Sequence, residues 1–108
     1  MTDLGTLLEV FDDTTKQCRD VIVKKNHDYG GSPEEKQDAF KNFRMVDALG
    51  LPAEKGVLIR IMDKLSRINT FLDKGDLKNE SVVDAIDDNI NYLIILKCLI
   101  LEKLNEVE

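Results

Sequence analysis

Residues Tyr92 to Leu101 read YLIILKCLIL. On a helix, Leu93, Ile94, Ile95, Leu96, Leu99, Ile100 and Leu101 cover nearly the whole circumference, and only Lys97 and Tyr92 offer a polar tip. A helix in a monomer needs a single apolar stripe, about 100° wide or somewhat more. The run is about half the length that spans a bilayer and is interrupted by Lys97, so no membrane span is expected. Such a helix needs apolar cover on two sides, and one small chain has few residues to supply both. A homodimer or homotetramer that pairs the last helices across a two-fold axis is expected. The alternative is that the first helix folds over the second face within one chain.

The remaining sequence is punctuated for helices. With 108 residues, one domain spanning 1–108 is expected. There is no tryptophan and aromatics are only 6%, so the core must be aliphatic. Leu7, Leu8, Phe11, Cys18, Val21 and Ile22 fall mostly at helical spacing and predict a helix from about Thr2 to His27. Ser32-Pro33-Glu34-Glu35 reads as a capping box with proline at the first helical position, starting a shorter helix to Leu49 that Gly50 closes. Pro52 opens a third helix that runs to about Lys74 and stops at Gly75; a fourth starts near Asn79 and runs almost to the end. No strand alternation, repeat or linker interrupts this order. The expected fold class is all-α, a helical bundle of three long helices plus one short helix, assembled into a larger bundle by oligomerisation.

Charge and cysteine usage exclude several functions. The formal net charge of -6 argues against a nucleic-acid duplex as partner, because such a surface needs a cationic face to displace counterions. A local basic pocket for one nucleotide stays open. Cys18 and Cys98 have no metal-ligand spacing and read as buried, reduced thiols of a cytoplasmic protein. The acidic N-terminal stretch MTDLGTLLEV does not read as a signal peptide.

Two polar stripes carry the candidate chemistry. Arg60, Asp63, Lys64 and Arg67 share one face of the third helix, with Val57, Ile61, Leu65, Ile68 and Leu72 on the other. Glu80, Asp84, Asp87 and Asn91 form an acidic stripe on the last helix, with Asp88 beside it and Val82, Ile86, Leu93 and Ile100 facing away. Clustered carboxylates suit a hard cation such as Mg²⁺, and arginine and lysine supply donors for phosphate oxygens. The plainer account is a solvated face, or salt bridges between adjacent helices. Glu80 and Asp84 also suit a helix N-terminus, where Ser81-Val82-Val83-Asp84 can itself be a capping box.

The only histidine sits in KKNHDYGGSPEEK. His27 and the two lysines before it suit the negative end of a helix dipole, and Gly30 or Gly31 can supply the left-handed cap. Tyr29 beside that turn is placed to stack on a base. Phe40, Asn42 and Phe43 read as helix packing, with Asn42 the one polar candidate among them.

Taken in order, KKNHDYG, then IRIMDKLSRI, then NESVVDAIDDNINYLII resemble the nucleotide modification associated domain 1 family of phages and bacteria. That family's pattern is K-x-x-DYG, R-x-x-DK-x-x-R and ES-x-x-D-x-x-x-D-x-x-NY, and the resemblance runs from about Val21 to Lys97. It singles out Asp28, Tyr29, Arg60, Asp63, Lys64, Arg67, Glu80, Asp84, Asp88, Asn91 and Tyr92. It implies a nucleotide or nucleotide-derived ligand. The helical layout and acidic last helix are also distantly similar to MazG-like all-α nucleotide pyrophosphohydrolases, which hold Mg²⁺ with carboxylates from two helices. The E-x-x-E pair of their middle helix is absent, and Arg60, Asp63, Lys64 and Arg67 stand in its place.

Two functions follow as expectations. One is Mg²⁺-dependent cleavage of a nucleotide. Asp63, Glu80, Asp84 and Asp88 would hold the metal, and Arg60, Lys64 and Arg67 the phosphates. His27, Asp28, Tyr29, Asn91 and Tyr92 would complete the ligand pocket. The other is a non-catalytic nucleotide binder that uses the same basic residues, including a sponge that sequesters a nucleotide signal. His27, Asp28 and Tyr29 are expected at the mouth of a pocket between the last two helices.

Overall fold

The computed structural model describes residues 1–28 and 38–105. All its regular elements are helical: α1 (Leu4–Asp28), a short 3₁₀ helix (Phe43–Leu49), α2 (Ala53–Lys74) and α3 (Val82–Asn105). Among the described residues there is no strand. The sequence reads as one domain; the chain divides into two compact units, Met1–Ala39 and Phe40–Glu108.

The first unit is built on α1. The Asp3 carboxylate accepts a hydrogen bond from the Thr6 amide at 2.8 Å, capping the helix, and this bond holds the carboxyl below its usual range. The Thr15 hydroxyl is satisfied inside the helix, donating to the Phe11 and Asp12 carbonyls. Lys25 and His27 fall in the last turn, where positive charge suits the dipole. Cys18 is buried, Val21 and Ile22 are half-buried, and Leu7, Leu8 and Phe11 are exposed.

The second unit opens with the short helix. The expected start at Ser32-Pro33 lies outside the described residues. The described part is 3₁₀, not α: the Phe43 amide bonds to the Phe40 carbonyl and the Gly50 amide to that of Asp47, each three residues back. Phe40, Phe43 and Val46 recur every three residues, and a three-residue turn stacks them on one side. Gly50 ends the helix at φ 78°.

From there α2 begins after Pro52, which stands in the N-cap position, and ends at Gly75 with φ 85°. The last helix starts at Val82, three residues after the expected Asn79, because the Ser81 hydroxyl caps it by accepting the Asp84 amide at 3.0 Å. Glu80 therefore precedes α3 instead of riding on it. The helices α2 and α3 run antiparallel, since Ile61 meets Asn89 and Lys64 meets Asp88.

The core of this unit is Ala53, Val57, Ile61 and Leu99, with Phe40, Phe43, Tyr92, Ile95 and Leu96 packed against it. Two facings differ from expectation. On α2 the inward line is Val57, Ile61, Lys64 and Ile68, while Leu65 and Leu72 are exposed. On α3 the inward line is Ala85, Asn89, Tyr92, Leu96 and Leu99, while Ile86, Leu93 and Ile100 face solvent. Because α3 is apolar nearly all round, periodicity alone does not choose its inner face. The small Ala85 and the contacts to α2 choose it.

Candidate functional site

The polar stripes do not stand apart as a cationic face opposite an acidic one. Lys64 occupies an inward position of α2, and its side chain is only 13% exposed. Its ammonium lies 3.1 Å from Glu80 and 3.0 Å from Asp88, so one cation ties the segment before α3 to the first turns of α3. Arg67, one turn on, places its guanidinium 3.0 Å from the same Glu80 and 3.3 Å from Asp63. Arg67 and Asp63 form the outer rim, the arginine half-exposed and the aspartate more so.

Mutual charge sets the protonation states. Burial works against the Lys64 ammonium, but hydrogen bonds to Asp88 and Glu80 and their negative charge outweigh it, holding its pKa above the usual range. Burial also pushes the Glu80 carboxyl up, yet hydrogen bonds from Lys64 and Arg67 win and hold it below the usual range. The bond to Glu80, with the charges of Asp63 and Glu80, raises Arg67. Asp87 moves the other way: burial, then the neighbouring charges of Asp84 and Asp88, push its carboxyl up. The arrangement is thus a fixed, alternating set of charges that can exchange partners with an incoming anion or cation.

Beside it lies a third cation, over an aromatic ring. The Arg60 guanidinium sits 4.8 Å from the centroid of Phe43, and Tyr92 meets the same ring edge-on at 6.5 Å. Tyr92 is half-buried and belongs to the packing around the core, so it is not presented as a free stacking surface. Asn91 is buried. Arg44, further along, pairs with Glu102 at 2.9 Å.

Asp84 donates its backbone amide to the cap at Ser81. His27 and Asp28 end α1 in the first unit, with Nδ1 and Oδ1 3.6 Å apart and both side chains exposed. Tyr29 lies outside the described residues. Of the expected metal ligands, Glu80 and Asp88 converge on Lys64 and Asp63 turns to Arg67. Among the described residues no three side chains of His, Cys, Asp or Glu are grouped so as to hold a metal ion.

Asn89 stands outside the expected polar stripes. It is buried on the inward line of α3 and donates from Nδ2 to the Ile61 carbonyl at 3.3 Å. Its Oδ1 is buried without a hydrogen-bond partner among the described residues. The signal was the spacing: Ala85, Asn89, Tyr92 and Leu96 follow one another by four, three and four residues, so the amide is part of the packed line.

No family model, curated protein or solved structure matches the chain. Among the described residues no helix is long and apolar enough to cross a membrane.

Proposed function

We propose that the second unit binds a nucleotide through its phosphates, with Arg67, Lys64 and Arg60 as donors, and that it does so without catalysis. The observation that carries this reading is the shared Glu80: Lys64 and Arg67 both lie about one hydrogen-bond length from it. A phosphate is, like that carboxylate, an anion whose oxygens only accept hydrogen bonds, so it can take over the same two cations. Arg60, exposed and lying over the ring of Phe43, adds a third donor. The resemblance of IRIMDKLSRI and NESVVDAIDDNINYLII to the nucleotide modification associated domain 1 family supports a nucleotide over inorganic phosphate.

Calorimetry of the full chain with ribo-, deoxyribo- and cyclic nucleotides, with and without EDTA, tests the reading. Metal-independent binding without turnover is expected, and Arg67→Ala should weaken it by about tenfold or more, roughly one charge-assisted contact. No heat with any nucleotide, from protein whose helicity is intact, would overturn it.

A second reading is Mg²⁺-dependent hydrolysis, favoured by the position of the Lys64 ammonium between two carboxylates. Glu80 and Asp88 are hard oxygen donors, and Mg²⁺ accepts one or two carboxylates plus phosphate and water. Those two residues would hold it, and the ion would supply charge for phosphoryl transfer. Product chromatography after incubation with Mg²⁺ separates the readings: turnover selects hydrolysis, and its absence alongside binding selects the binder.

A further inference from the structure

The exposed side of α3 is a heptad seam. Val83, Ile90, Lys97 and Leu104 recur every seven residues, and Ile86, Leu93 and Ile100 do so three residues after them. None of these seven is buried, and the exposed apolar ones range from 40% at Ile100 to 74% at Leu104. Ile94 and Leu101 widen the stripe. The seam is separate from the line Ala85, Asn89, Tyr92, Leu96 and Leu99 that faces inward. A strict 3-4 repeat over three heptads is the pattern of a helix that packs along another helix, and it runs about 33 Å.

We propose that this seam pairs with α3 of a second copy, antiparallel, about a two-fold axis between Ile90 and Leu93. The charge pattern selects both the copy and the direction. In a parallel pair Lys97 would lie against Lys97 of the partner subunit, placing like charges in an apolar layer. In the antiparallel pair the layers are Val83 on the partner's Ile100, Ile86 on the partner's Lys97 and Ile90 on the partner's Leu93. The Lys97 stem then packs on the partner's Ile86, and its ammonium reaches the partner's Asp87, with the partner's Asp84 one turn away. The seam is therefore self-complementary: acidic at its N-terminal end and basic further along, with apolar residues between.

Light scattering and sedimentation of the full chain across the micromolar range should give twice the chain mass. Lys97→Glu should weaken dimerisation at least about tenfold, with unchanged far-ultraviolet circular dichroism, and Asp87→Lys with Lys97→Glu should restore it. A cysteine cross-link fixes the direction independently. In a Cys98→Ser background, Ile90→Cys chains mixed with Leu93→Cys chains should form mixed disulfides in preference to self-links. A monomer mass for the natural sequence overturns the proposal, as does a dimer in which Leu93→Cys chains link chiefly to themselves.

Discussion

Lys64 stands where α2 calls for an aliphatic side chain, so its charge survives only through its partners. Its long stem can lie along the packed face while the ammonium meets Glu80 and Asp88. Replacing it by methionine keeps the stem but takes the ammonium from Asp88 and leaves Glu80 with Arg67 alone. Lys64→Met is expected to lower stability by about 1–3 kcal/mol in urea unfolding, as for loss of one member of a partly buried pair. Glu80→Gln should cost less, because Asp88 still holds Lys64. The two variants should also differ with pH. The Glu80 carboxyl is depressed in the folded chain, so its stabilisation is present above the ordinary carboxylate range, near pH 4–5, and is lost as pH falls through the lower folded value. The Lys64 ammonium is raised, so its share is complete below about pH 10 and is lost as pH rises through the folded value. Urea midpoints against pH should show Glu80→Gln flattening the acid limb and Lys64→Met flattening both limbs.

At the scale of elements, the chain announces its ends better than its faces. Gly50, Pro52 and Gly75 act through their own backbone preferences, and Ser81 through a bond three residues away, so these boundaries are legible locally. Facing depends on what lies opposite. The sequence offers α3 two apolar sides, and nothing local says that Ala85 faces α2 while Ile86 faces water. The candidate site divides in the same way. Arg60, Asp63, Lys64 and Arg67 were readable as one stripe, but not that Lys64 is its inner edge, nor that Glu80 lies before the helix. Gly56 shows what the connection between the 3₁₀ helix and α2 requires. A Cβ there would lie 3.1 Å and 3.3 Å from the two γ carbons of Val46. Valine is stiff at χ1, and rotation exchanges one γ carbon for the other. Gly56→Ala should therefore lose stability despite the roughly 1 kcal/mol that alanine gains in helix propensity. Val46→Ala placed in the same chain should return most of the loss, and a thermal double-mutant cycle measures that coupling. Gly75→Ala has space around its Cβ but a φ of 85°, so its loss of about 1 kcal/mol comes from backbone strain alone, and asparagine there should recover part of it.

For the whole molecule, the balance of buried and exposed apolar surface ties stability to association. In the second unit the buried apolar residues are Ala53, Val57, Ile61, Ala85 and Leu99, and two of these are alanines. Against them, Leu58, Ile59, Met62, Leu65 and Leu72 on α2 are exposed together with the seam on α3. A domain of this size has only a few kcal/mol to spare even with a full core. If α3 pairs with a second copy, each chain's fold is completed by mass action, and unfolding releases two chains from one dimer. Each tenfold rise in concentration then adds about 1.4 kcal/mol to the dimer, half of that per chain. For a chain near 100 residues this is a rise of roughly 3–5 °C in Tm per decade. Scanning calorimetry over two decades of concentration should show that slope in the natural sequence. Lys97→Glu should show a lower Tm, with the dependence on concentration lost wherever its weakened dimer is no longer populated. A Tm independent of concentration in the natural sequence would mean that the exposed seam contributes nothing to the stability of the fold.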